Sequence, residues 1–119
     1  VNNDWVDNIV GSYNSRIWNG VEPVAGKTEF LMTENSTLIG SYVMDDPSGL
    51  ALGVLTECQP SEPRLLNCTW YDRYGTGDLD VRFSEDFVRF EGTWGSPEFS
   101  ERFGWQGIQV DGTPQPPSR

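Results

Sequence analysis

Apolar and polar residues alternate with a period of two along most of this chain, and clusters of Gly, Pro, Asn, Asp and Ser break the alternation about every ten positions. Period-two alternation is the mark of strands with one buried face; no stretch shows the repeat of an amphipathic helix. The pattern predicts eight strands: Ile9–Trp18, Thr28–Glu34, Leu38–Asp45, Leu50–Cys58, Leu65–Arg73, Asp78–Ser84, Phe87–Trp94 and Glu101–Val110. Turn chemistry sits between them at Asn35-Ser36, Asp46-Pro47-Ser48-Gly49, Gly75-Thr76-Gly77, Glu85-Asp86 and Gly95-Ser96-Pro97. Links this short imply antiparallel pairing of successive strands, because parallel neighbours need long crossovers.

A second regularity sharpens the expectation. An apolar residue is followed two positions on by Gly or Cys, and two further by an aromatic: Ile9-x-Gly11-x-Tyr13, Leu38-x-Gly40-x-Tyr42, Leu66-x-Cys68-x-Trp70 and Phe90-x-Gly92-x-Trp94. Ala51-x-Gly53-x-Leu55 and Trp105-x-Gly107 are weaker copies. Spacing of two puts all three residues on one face of a strand. A small residue between large ones lets the strand bend and leaves room for an aromatic from its neighbour, and barrel closure needs both. The expected architecture is therefore all-β, an antiparallel up-and-down meander closed into a barrel, with a two-sheet β-sandwich as the alternative. Tyr13, Tyr42, Trp70, Phe90 and Trp94 belong to the buried face. Glu57, Asp72, Asp80, Arg82, Arg89 and Glu91 are expected on the outer one.

At 119 residues the chain is long enough for one core, so residues 1–110 form a single barrel domain. The remainder, 111–119, holds Pro114, Pro116 and Pro117 and reads as a tail or linker. A first residue of Val without a signal-peptide pattern suggests a processed or excised form. No run approaches the ~20 apolar residues of a membrane helix, so no membrane insertion is expected. Eighteen acidic residues against eight basic ones leave a net charge of −10, which repels nucleic acid and anionic membranes and favours a cationic partner.

Cys58 and Cys68 flank the stretch Gln59-Pro60-Ser61-Glu62-Pro63, each beside a predicted strand. A disulfide there would pin the two sides of a loop and contribute about 2–3 kcal/mol; two reduced core thiols are the alternative. The disulfide is the preferred reading, and it carries an extracytoplasmic (periplasmic or secreted) location. CxxC spacing and histidine are both absent, which leaves no donor set for structural zinc.

From Trp70 the chain reads W-x-D-x-x-G-x-G through Gly77, then Phe83-Ser84, then F-x-G-x-W-G from Phe90 to Gly95, then Trp105-Gln106-Gly107. This series resembles a pattern of poorly characterised bacterial exported β-meander domains. The meander as a whole is more loosely similar to the lipocalin and avidin type of barrel, whose members commonly bind ligands at the open end. The resemblance implies a fold class and an exported setting, and no activity.

Without histidine there is no triad or imidazole acid–base pair. Asp72, Asp78, Asp80 and Glu91 are the conceivable hydrolytic carboxylates, set against a solvated outer face on which they pair with Arg73, Arg82 and Arg89. Neither Asp45-Asp46-Pro47-Ser48-Gly49 nor Asp72–Asp80 has the order of a calcium loop, so no cofactor or metal is expected. Aromatics near strand ends, Trp18, Tyr74, Phe99 and Trp105, are the candidate ligand-binding residues, able to stack on a sugar or an apolar ligand. The leading expectation is a non-catalytic exported binding module, uncharacterised in ligand, that uses loops or a cavity at one barrel end to meet a small ligand, glycan or cationic protein. An acidic inhibitor of a basic secreted enzyme (lysozyme or protease) is the alternative, and a carboxylate-dependent hydrolase the third.

Overall fold

The computed structural model of the protein describes residues 4–110; the proline-rich segment 111–119 lies outside them. A 3-10 helix (Asp4–Asn8) precedes eight strands: β1 (Gly11–Trp18), β2 (Pro23–Met32), β3 (Leu38–Asp46), β4 (Gly49–Glu62), β5 (Leu65–Asp72), β6 (Gly75–Phe83), β7 (Arg89–Gly95) and β8 (Phe103–Gln109). Each strand pairs antiparallel with the next, and β8 pairs back onto β1 with Tyr13 opposite Gln109 and Ile17 opposite Trp105. The sheet is thus a closed up-and-down barrel and not a sandwich, and closure leaves no edge to protect.

All eight predicted strands are present, with shifted ends. β2 begins at Pro23, ahead of the expected Thr28. Pro23 occupies the first strand position, where a missing N–H is tolerated. β4 runs through Pro60 to Glu62, across the stretch expected to be a loop. It does so by changing register between Thr56 and Gln59, and again between Pro60 and Glu62. The turn between β5 and β6 is Arg73-Tyr74, so Gly75-Thr76-Gly77 belongs to β6.

The first register shift inverts the inside–outside alternation of β4. Glu57 and Cys58 lie between paired Thr56 and Gln59, opposite the single residue Cys68, and Glu57 takes a left-handed φ of 54°. This β-bulge turns Glu57 outward, where Thr69 Oγ1 donates to its carboxylate at 3.0 Å, and brings Cys58 inward. Cys58 and Cys68 form a disulfide. It spans two neighbouring strands and faces the interior, whereas a bridge across the base of a loop was expected.

Two tiers of side chains fill the barrel. In the lower tier Tyr13, Phe30, Phe83 and Phe90 pack edge-on or tilted, with ring centroids 5.2–6.3 Å apart, a favoured aromatic geometry. The 3-10 helix plugs this end. Ile9, just after it, is fully buried and accepts a 2.7 Å hydrogen bond from the Tyr13 hydroxyl through its carbonyl, while Trp5 stacks on Phe87 at 6.3 Å. The upper tier holds Ile17, Tyr42, Met44, Trp70, Trp94 and Trp105. Glycines make room for the rings across the strands. A Cβ on Gly53 would overlap the Tyr42 ring, and one on Gly107 the Phe90 ring. The outer wall carries Asp78, Asp80, Arg82, Arg89 and Glu91 on β6 and β7, with exposed Leu50, Leu52 and Val54 on β4.

Candidate functional site

The end opposite the plug is ringed by the connections 19–22, 47–48, 73–74 and 96–102. Each has a local reason for its shape. Asn19 Oδ1 accepts from the Val21 and Glu22 amides, both at 2.9 Å, an Asx turn that lets β1 reverse directly into β2. Asp72 Oδ1 caps the Arg73-Tyr74 turn by accepting from the Tyr74 amide at 2.8 Å. Ser96 Oγ takes the Glu98 amide at 3.3 Å in the longest of the four connections.

Between these connections and the upper aromatic tier lies a cavity of about 210 Å³. Its inner wall is aromatic. Trp70 and Trp94 meet edge to face at 5.3 Å, and Trp105 meets Tyr42 in the same way at 4.7 Å. Every indole N–H of that wall is already bonded to protein: Trp70 to the Gly95 carbonyl at 3.0 Å, Trp94 to the Trp18 carbonyl at 2.7 Å and Trp105 to Thr28 Oγ1 at 3.1 Å. Thr28 is itself buried against Ser15 Oγ at 2.7 Å. The tryptophans therefore offer faces and edges to the cavity, and no free donor.

Of the four aromatics picked out by sequence, Tyr74, Phe99 and Trp105 line this cavity and Trp18 does not. Trp18 is the last residue of an outward row on β1, part-exposed, and its contribution is the carbonyl that fixes Trp94. Tyr74 and Phe99 stand exposed at the mouth, whereas Trp105 is buried at the base.

Asp72 is not on the outer face where it was expected. It lies two residues beyond inward-facing Trp70 on the same strand, so alternation carries it into the mouth. There its Oδ2 accepts from the Tyr42 hydroxyl at 2.7 Å. Burial, and then this bond to a carboxylate, push the Tyr42 phenol far above its ordinary range, so Tyr42 stays a fixed donor. The other three candidate carboxylates do not join Asp72. Asp78 and Asp80 share Arg102 on the outer wall at 2.9 and 3.4 Å, and Glu91 points to solvent on β7. Arg102, which precedes β8, takes the pairing role expected of Arg73, Arg82 and Arg89. Arg73 instead lies 3.5 Å from Asp46 and 5.0 Å over the Tyr74 ring.

Sequence reasoning also missed Asp46, whose side chain is only 8% exposed. Ser48 Oγ, Tyr74 Oη and Asn19 Nδ2 donate to it at 2.7, 2.8 and 2.8 Å. These three bonds hold its carboxyl well below the usual carboxylate range. The cluster ties three of the four rim connections together. The Asp-Pro-Ser-Gly signature announced a turn there, yet nothing local could show that Asn19 and Tyr74 would converge on it. Among the described residues, no three acidic or thiol side chains converge in a way that would hold a metal ion.

The fold and the cavity define a closed eight-stranded antiparallel barrel, plugged at one end and open into a cavity at the other. No family model and no curated protein sequence matches this chain. Among solved structures it is similar to a redesigned β-barrel, with a TM-score of 0.71 at 10% identity, covering 88% of this chain and 94% of that one. It is likewise similar to a de novo designed fluorescence-activating β-barrel, with a TM-score of 0.68 at 11% identity, covering 90% and 98%. At such identities the likeness is one of fold alone.

Proposed function

We propose that the protein is a non-catalytic binding module that takes a small ligand into the open end of its barrel and works outside the reducing cytosol. One observation carries this reading: above its upper tier of side chains the open end of the barrel holds a cavity of about 210 Å³, walled on its inner side by aromatic side chains whose polar atoms are already satisfied. Close packing is the rule in protein interiors, and an unfilled space beside aromatic faces forgoes dispersion contacts that filling would regain. A concave apolar site with a few polar groups at its rim is the usual form of a small-molecule site. The Cys58–Cys68 disulfide and the Trp70-to-Gly107 series, which resembles that of bacterial exported β-meander domains, support an exported setting. Tyr74 and Phe99 serve as aromatic contacts at the entrance, with Trp105 as the floor.

Intrinsic tryptophan fluorescence tests the reading directly, because Trp70, Trp94 and Trp105 all border the cavity. Titration with small aromatic and aliphatic probes is expected to shift or quench the emission saturably, and Phe99→Ala to weaken that response. Silence across neutral, cationic and anionic probes would dispose of the cavity as a binding site.

A further inference from the structure

The hydrogen-bonding inventory of the cavity points to the chemistry of its ligand; this inference rests on the cavity being a binding site, as proposed above. Seven side-chain donor groups line it, and six of them bond inside the protein; the seventh, the Ser96 hydroxyl at the rim, accepts from the Glu98 amide. The three indoles bond to Gly95, Trp18 and Thr28, the Tyr42 hydroxyl to Asp72, and the Tyr74 hydroxyl and Asn19 amide to Asp46. Acceptors are in surplus. A carboxylate has about four lone-pair sites, and Asp72 accepts from only the Tyr42 hydroxyl and the Tyr74 amide. Glu98, on the exposed rim, adds a second carboxylate to the lining.

The charges are as one-sided as the donors. Asp72 and Glu98 border the cavity, and no lysine or arginine does. Arg73, the guanidinium of the neighbouring turn, is not part of the lining and is bonded to Asp46, Ser48, the Gly49 carbonyl and the Tyr74 hydroxyl. Arg102 is held on the outer wall by Asp78 and Asp80. A ligand with a carboxylate or phosphate would meet two like charges and no cationic side chain on the lining, and a neutral acceptor such as a ketone would find only the Ser96 hydroxyl at the rim. A cation carrying N–H groups would meet open lone pairs, net negative charge and aromatic faces, the surroundings in which cation–π attraction is strongest. The volume of about 210 Å³ somewhat exceeds the ~150 Å³ cavity that admits benzene.

We infer that the cavity takes a small organic cation, a protonated primary amine on an apolar body about the size of one aromatic ring and its side chain, with Asp72 receiving the ammonium group and the tryptophan wall receiving the body.

Three probes of nearly equal shape test this: phenethylammonium, 2-phenylethanol and phenylacetate, followed by tryptophan fluorescence and calorimetry on the intact chain. The ammonium is expected to bind at least about tenfold more tightly than the alcohol, and the carboxylate not to bind measurably. Asp72→Asn, checked by circular dichroism for an intact barrel, is expected to erase the preference for the ammonium over the alcohol. Glu98→Gln, on the exposed rim and outside the packed core, is expected to reduce the preference in part, which keeps the test decisive if the Asp72 variant misfolds. Equal binding of alcohol and ammonium, or tighter binding of phenylacetate, would overturn the cationic assignment and leave the cavity reading standing. Failure of all three probes would remove both.

Discussion

Asp46 shows how much one side chain at a strand end can organise. It belongs to β3 by backbone, but its carboxylate collects donors from the two neighbouring connections as well as from its own. Because its folded pKa is depressed, the stabilisation it supplies is complete at neutral pH and is lost as acid takes the protein below the ordinary carboxyl value of about 3.9. Asp46→Asn is therefore expected to unfold at a lower denaturant concentration than the parent near neutrality, with the gap closing below about pH 4. A gap independent of pH would show that the charge is not what matters. Gly92 makes a different point at the same scale. A Cβ there would run into the Asp80 carbonyl on β6, whereas its neighbour Glu91 extends into solvent. Gly92→Val should cost about 1–3 kcal/mol or more, and Glu91→Val no more than about 0.5 kcal/mol. Chemical denaturation returning the opposite order would refute the register of β7. The inward direction of Gly92 was legible in its position two residues from Phe90 and from Trp94. Asp72 was equally legible by the same count from Trp70, but its charge argued for solvent, and a strand end is where an inward side chain can still be wet.

Among the elements, β4 departs furthest from an ideal strand, and its departures have a common purpose. Two register shifts carry it past Pro60 and set Cys58 opposite Cys68 on the interior. The proline-rich composition of residues 59–63 suggested a loop, because a proline inside a strand removes a ladder hydrogen bond. A bulged strand has unpaired positions to spare, which is how the ladder survives there. Joining the strands through the disulfide closes a separation of only 10 residues, so replacing both cysteines by serine should cost about 2–3 kcal/mol of unfolding free energy, with strand content in circular dichroism unchanged. A loss near zero would mean that the paired strands alone already restrict this hairpin in the unfolded chain. The N-terminal 3-10 helix escaped the sequence reading altogether. Asp4–Asn8 is too short for any periodicity to register, and its role as a plug rests on Trp5 stacking on Phe87, which lies far along the chain.

Across the whole molecule, packing is graded along the barrel axis. The plugged end is an interlocked cluster of aromatic rings under a helix, while the open end carries a cavity above its aromatic tier and finishes in exposed connections. Local stability follows burial and contact density. Amide exchange is accordingly expected to be slowest around Tyr13 and Phe90 and much faster through residues 96–102, with ligand binding narrowing the difference; uniform protection from end to end would contradict this gradient. The alternation of side chains, the turn residues and the glycine–aromatic repeats were enough by themselves to determine eight strands, their sequential pairing and most of the buried face, since period and chain reversal are local properties. Which end of the barrel is sealed, that the other end holds a cavity, that Asp72 meets Tyr42 inside the mouth and that the disulfide faces the core were decided only in three dimensions. Each depends on shear, bulges and contacts between residues far apart in the chain, and no local pattern encodes the distance between two strands that have yet to meet.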